Sequence, residues 1–239
     1  NQPYTWENTV HEQINDLKVC GLLNISDLYI HLSCSHEIME TIRSYIDEQL
    51  VVEHKWCHIN YSHTSNNQFE YPGIHLLYTL AQTNQNKIFL YFHTKDISHL
   101  DSTYKRSELN KTLTRFTLWN YHKVLKLFEM KPNTNKIGLF PSQTQGWIWY
   151  NFFWVRGSFL VTSEEPIISS DRWYYEKWLH YTKPSESLTC YSIYTNEETY
   201  FTGPEAVGIT GQIAATTDYL ILSASIDKIT YGYKKRLWM

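Results

Sequence analysis

Cysteine is scarce in this chain: four residues in 239, Cys20, Cys34, Cys57 and Cys190, stand far apart with no C-x-x-C and no Cys/His cluster at zinc-finger spacing. That spacing argues against a structural zinc and for reduced, buried thiols in a cytosolic compartment. No apolar run approaches the roughly 18–20 residues needed to cross a bilayer, and no signal peptide is visible, so a cytoplasmic protein without a membrane span is expected. Charge of one sign is not in excess either: 21 Lys and Arg face 24 Asp and Glu, a net −3. Mixed along the chain, these charges leave no basic footprint, and no nucleic-acid partner is expected. Also missing are G-x-G-x-x-G after a strand, a phosphate-binding P-loop, G-x-S-x-G and H-E-x-x-H. Their absence removes the simplest dehydrogenase, NTPase, serine-hydrolase and zincin readings. There is no D-x-D carboxylate pair, no internal repeat and no low-complexity linker.

Aromatic residues, by contrast, make up 16% of the chain, with 9 Trp and 19 Tyr. Their faces stack on sugars and bases, and they also fill cores. The length suits one large domain or a domain with a small appendage.

Apolar spacing predicts a helix over "TWENTVHEQINDLKVCGLL", with Val10, Ile14 and Leu17 on one face, Thr5 as a cap and Gly21 near its end. A strand at "DLYIHLSC" follows, then a helix at "SHEIMETIRSYIDEQ" and a second strand at "VVEHKWCHI". A polar loop at "NYSHTSNNQ" leads to a helix in which Pro72 suits the first turn. Next come the strand "KIFLYF" and one long helix over 101–130. A short strand "KIGLF", an extended aromatic segment "QGWIWYNFFWV" and a helix at "SSDRWYYEKWLHY" complete the alternating part. Beyond residue 188 the pattern turns β-rich. The alternation predicts an α/β layered fold with a mainly parallel sheet, followed by added strands or a small β unit.

Chemistry-bearing groups gather after "KIFLYF". Here His93, Thr94, Lys95 and Asp96 follow a buried strand, the place where open α/β sheets bind ligands. Lys95 could neutralise a diphosphate, His93 could donate a hydrogen bond or ligate a metal, and Asp96 could take a metal or a sugar hydroxyl. The plain alternative is an ordinary loop. The aromatic segment could form a sugar platform with Asn151 and Arg156 as polar fingers, or a core strand. Asn151 fits packing poorly, because a buried amide must find partners. In "DRWYYEKWL", Arg172 and Glu176 are i, i+4 neighbours, as expected of a surface ion pair.

The order of these segments resembles a family of GT-A-type glycosyltransferases found in bacterial polysaccharide clusters and in large DNA viruses, those of algae included. The resemblance spans residues 1 to about 182 and rests on six pieces: "HEQINDLKVCGLLNISDLYIHLS", "FEYPGIHLLYTLA", "YFHTKDIS" (typically H-T-K-G), Arg115 in "TRFTLWNY", "YNFFWVRGSFL" (typically N-F-W-W-A) and "RWYYEKWL" (R-x-x-x-E-x-W). It implies a GT-A-like, Rossmann-like domain over 1–187 with a β-rich extension over 188–239 packed on it. The implied activity moves a hexose or deoxyhexose from a nucleotide-sugar to a hydroxyl of a glycan, in the host cytoplasm if the chain is viral.

Carried onto this sequence, His93, Lys95 and Asp96 would face the donor diphosphate or a Mn2+ or Mg2+ ion, with Asp96 and His93 as metal ligands. Asn151, Trp154 and Arg172 would border the sugar or acceptor pocket. Arg115 would hold phosphate or brace the site, and Glu176 would act as general base in an inverting reaction. In the family a core strand whose end meets the nucleotide precedes the segment matching "NQPYTW", which brings Asn1 to the donor. Three positions depart from the pattern: Asp96 for Gly, Phe153 for Trp and Val155 for Ala. Two other classes compete, a non-catalytic carbohydrate-binding module on the same scaffold and a structural or interaction protein.

Overall fold

The computed structural model describes residues 6–51, 59–94, 105–143, 146–171, 173–181 and 189–215. Helix α1 (Trp6–Cys20) leads into strand β1 (Leu28–Ser33), helix α2 (His36–Val51) and strand β2 (Ile59–Thr64). Helix α3 (Tyr71–Thr83) precedes strand β3 (Ile88–Tyr91), and helices α4 (Lys105–Leu118) and α5 (Tyr121–Met130) precede strand β4 (Lys136–Gly138). Strand β5 (Phe153–Arg156), the short helices α6 (Gly157–Leu160) and α7 (Tyr174–Lys177), strand β6 (Cys190–Ser192) and helix α8 (Gly203–Ala215) follow.

The strands form two small sheets, one of β1 and β2 in parallel and one of four strands in the order β3-β5-β4-β6. In the larger sheet β5 runs antiparallel to both β3 and β4, while β4 and β6 are parallel. The fold is mixed α/β, and its larger sheet is mixed too, not mainly parallel. Strand alternation splits the core between the two faces of that sheet. Trp154 of β5, Ile137 of β4 and Tyr191 of β6 pack into one apolar cluster with α1, α4 and α5. Phe153, Val155 and Cys190 face a second cluster with α3, α6 and α7.

Several expectations are corrected. The second strand lies at Ile59–Thr64, starting at the last residue of the expected strand and running into the stretch expected to be a polar loop, while Val51 ends α2 and 52–58 fall outside the described residues. Its polar side chains bond across the ladder: His31 Nδ1 is 2.7 Å from Ser62 Oγ, and pairing with β1 outweighs their poor strand propensity. The long helix over 101–130 is two, broken at Trp119–Asn120, where the Asn120 amide donates to the Phe116 carbonyl at 2.9 Å. In the segment expected to be extended, residues Trp149–Asn151 make a tight turn, with Tyr150 and Asn151 in left-handed backbone, before β5 begins. Past residue 188, the described part holds the three-residue β6 and the 13-residue helix α8. The strand-like "DYLILSASIDKITYG" lies outside the described residues.

Glycine is required where the 149–151 turn crosses β4. A Cβ on Gly138 would stand 2.4 Å from Ile148 Cγ2 and 3.1 Å from the Phe152 carbonyl. On the other face, α1 and α4 are joined by Glu12–Lys111 at 3.0 Å and Asp16–Arg115 at 3.3 Å, two ion pairs one helical turn apart. Among the described residues no helix is long and apolar enough to cross a membrane.

Candidate functional site

Strand β3 delivers Tyr91 and, just past its end, His93 to the mouth of the larger sheet. His93 Nε2 lies 3.1 Å from the Tyr150 carbonyl. A carbonyl only accepts, so Nε2 carries the proton and Nδ1 is the nitrogen left for a ligand. The same Nε2 stands 3.8 Å from Glu70 Oε1, and both side chains are 21% exposed. His93 is held from behind as well: the Gln13 amide donates to its backbone carbonyl at 2.9 Å and reaches Thr114 Oγ1 at 3.4 Å.

Glu70 opens helix α3, followed within the first turn by Pro72. Asn151 Nδ2 donates to Glu70 Oε2 at 2.6 Å and to the Tyr175 carbonyl at 3.1 Å. Two acceptors on one side fix the amide's orientation, since a flip would set oxygen against both. That leaves Asn151 Oδ1 buried, with no hydrogen-bond partner among the described residues. The Tyr91 hydroxyl also bonds to Glu70. Burial first, and the Glu70 charge second, push its pKa well above the ordinary value, so Tyr91 stays a donor. Tyr91 stacks on Phe153 at 5.3 Å, and a Cβ on Gly73 would come within 3.2 Å of its hydroxyl. The site therefore holds one reachable carboxylate that accepts from an amide and a phenol, beside an imidazole.

Backbone strain gathers here. Among the described residues four non-glycine residues have positive φ, and three of them, Phe69 (52°), Tyr150 (71°) and Asn151 (56°), belong to this site. Each costs roughly 1–3 kcal/mol and persists only where the surroundings impose it, a pattern that marks functional sites.

Of the residues expected to form the site, His93 and Asn151 are brought together. Glu176 sits half-buried on α7, next in sequence to Tyr175, whose carbonyl takes the Asn151 amide. Arg115 is engaged elsewhere: its Nε donates to Asp16 Oδ1 at 3.3 Å and its guanidinium lies 5.4 Å over the Trp119 ring. Trp154 is a core side chain, 3% exposed, whose indole donates to the Thr117 carbonyl at 3.0 Å. It faces the cluster of α1, α4 and α5, so it does not border a pocket. Arg156, the other polar finger of the aromatic segment, is spent on the carbonyls of Thr134 and Phe128 at 2.8 and 2.5 Å. Asn1, Lys95, Asp96 and Arg172 lie outside the described residues. Among the described residues no group of three or more His, Cys, Asp or Glu is arranged to hold a metal ion. His93 with one nitrogen available does not by itself fit one, and no step below is routed through a metal.

Three residues of the site were not singled out from the sequence. Glu70 is the acidic residue in "FEYPG" just before a helix-starting proline. Tyr91 hides in an apolar strand. Gln13 stands on the buried face of α1 with Thr9 and Asp16, a polar stripe at 9, 13 and 16 beside the apolar one. Polar residues at helical spacing on a face that must be buried were the available signal. No family model, no curated protein and no solved structure matches this chain, so the reading of the site rests on its own groups.

Proposed function

We propose that this protein is a glycosyltransferase that moves a sugar from a nucleotide-sugar to a hydroxyl of a glycan. The observation that carries the reading is convergence. Six separate pieces of sequence bear the resemblance to GT-A-type enzymes, and a continuous set of contacts joins all six: Gln13 to His93 and Thr114, His93 to Tyr150 and Glu70, and Asn151 to Glu70 and Tyr175. Pieces far apart in the chain meet at one half-buried polar cluster, as a site demands and incidental similarity does not.

In this reading the transfer breaks the bond from the anomeric carbon to the diphosphate oxygen and makes one to the acceptor oxygen. Glu70 takes the place first given to Glu176. Its carboxylate, aligned by Asn151 and Tyr91, stands beside the acceptor hydroxyl and receives its proton as the new bond forms. The same negative charge stabilises the oxocarbenium-like centre at this half-buried polar cluster. Lys95 meets the diphosphate, whose charge grows as it leaves, and His93 Nδ1, which carries no proton in this tautomer, accepts from a sugar hydroxyl. Asp96, the next residue in sequence after Lys95, would be the position for Mn2+ or Mg2+ if the donor brings one.

The test is thermal stability of the full chain with UDP-, GDP-, dTDP- and CMP-sugars, with and without manganese, followed by release of the nucleotide in the presence of glycan acceptors. One nucleotide class is expected to raise Tm and to lose that effect in Lys95→Ala. Glycan binding without any nucleotide binding would replace the transferase with a carbohydrate-binding module, and binding of neither would overturn both.

A further inference from the structure

We infer that Phe69 is a stacking platform for a pyranose ring, set so that the sugar's hydroxyls turn toward Glu70. The inference rests on the sugar-transfer reading for the class of ligand. Phe69 combines two costs at one position. Its backbone is left-handed, with φ 52°, where glycine or asparagine is favoured and a large side chain is not. Its ring is 45% exposed, so packing does not repay that conformation.

The turn is built to hold it there. Asn67 Oδ1 accepts from the Phe69 N–H at 3.0 Å, and the Tyr71 N–H donates to the Gln68 carbonyl at 3.1 Å. Val19, Met130 and Val207 are also exposed, but each stands on a helix in ordinary helical backbone and needs no explanation.

Location points to the ligand. The residue after Phe69 is Glu70, and the Phe69 ring meets the Tyr175 ring at 6.5 Å with a 40° tilt. Tyr175 in turn holds Asn151 against Glu70. Phe69 thus brings an apolar ring one residue ahead of a carboxylate that accepts hydrogen bonds. A pyranose offers the matching pair, one face of C–H groups and a rim of hydroxyl donors. Either the donor's sugar or an acceptor sugar has this chemistry.

The experiment is calorimetric titration of the full chain, parent and Phe69 variants. The titrants are UDP-glucose, GDP-mannose and dTDP-rhamnose, the matching sugar-free nucleoside diphosphates, and free gluco- and manno-oligosaccharides. Phe69→Ala and Phe69→Gly are expected to weaken the sugar-bearing ligands by about tenfold and to leave the sugar-free nucleotides unchanged. Phe69→Trp is expected to bind within about threefold of the parent, since it keeps a ring. Loss confined to nucleotide-sugars assigns the donor's ring, and loss with oligosaccharides assigns the acceptor's. Phe69→Gly is also expected to melt within about 3 °C of the parent, because relief of the left-handed strain offsets the entropy glycine adds to the unfolded chain. Equal sugar affinity in parent and glycine variant would overturn the platform and leave the transferase reading standing. A glycine variant melting far below the parent would make the ring structural, which also overturns it. Failure of every sugar ligand to bind the parent would remove both.

Discussion

Two carboxylates, Asp16 and Glu70, differ in their surroundings, and the difference assigns them different work. Asp16 is 2% exposed, pairs with Arg115 at 3.3 Å and has its second oxygen, Oδ2, without a hydrogen-bond partner among the described residues. Burial raises its pKa from 3.8 to about 6, more than the neighbouring guanidinium lowers it. Glu70 is 21% exposed, opens a helix, and accepts from the Asn151 amide and the Tyr91 hydroxyl. A carboxylate sealed between two helices and tied to an arginine is a brace. One that is hydrogen-bonded yet reachable, framed by strained backbone, is a group with a ligand to meet. Both side chains end in a carboxylate, so what separates them is access.

Perturbing the surroundings of each tests that distinction. The largest expected effect concerns α4, which carries Arg115 and Thr114 and therefore serves both. Trp154→Ala removes a buried indole and its bond to the Thr117 carbonyl, and should cost about 3–5 kcal/mol, a fall in Tm of ~10 °C or more. Thermal melts check it. A stable variant with weakened ligand binding would instead return Trp154 to a pocket wall.

The pH dependence of Asp16 comes next. Its carboxyl binds a proton more tightly in the folded than in the unfolded chain, so its contribution to stability is complete below 3.8 and is lost as pH rises to about 6. The loss is on the order of 3 kcal/mol. Asp16→Asn should remove that component, so that the parent's stability falls relative to the variant's between these limits in urea melts at stepped pH.

A smaller effect is expected on the Glu70 side. Gly73→Ala presses a methyl against Tyr91, whose ring is backed by Phe153 at 5.3 Å, and should cost roughly 1–3 kcal/mol while disturbing the phenol that bonds Glu70. Chemical denaturation reads the cost directly. Smallest is Gln13→Ala, which leaves the His93 carbonyl without its amide donor, for about 1–2 kcal/mol. Its signature is faster amide exchange along α1 and α4 without loss of the overall fold.

What the sequence made legible was whatever repeats with a period. The apolar faces of α1 and α3 and the strand ending in Tyr91 follow from spacing, and Gly21, with φ 79°, ends α1 as its position predicts. Strand β2 did not follow, because "INYSHT" is polar and becomes a strand only through its ladder with β1. The left-handed Tyr150 could not be read either, since nothing local in "WIWYNFFW" favours that backbone at a tyrosine, whereas Asn151 beside it is a residue that tolerates it. Of the site, Asn151 was legible as a polar residue among aromatics and His93 as a group at a strand end. Glu70 was not. Its partners are 21 residues or more away along the chain, and a lone acidic residue before a proline carries no pattern of its own.

The most direct test compares turnover of the two carboxylate variants. Release of the nucleotide from the donor class found in the thermal panel would be measured for parent, Glu70→Gln and Asp16→Asn, all at a temperature where each is folded. The account predicts that Glu70→Gln loses about 10²–10⁴-fold in kcat, the range for removal of a group that takes a proton in the transition state, while Asp16→Asn stays within about threefold of the parent. Glu70→Gln turning over like the parent, or both variants losing rate alike, would contradict it.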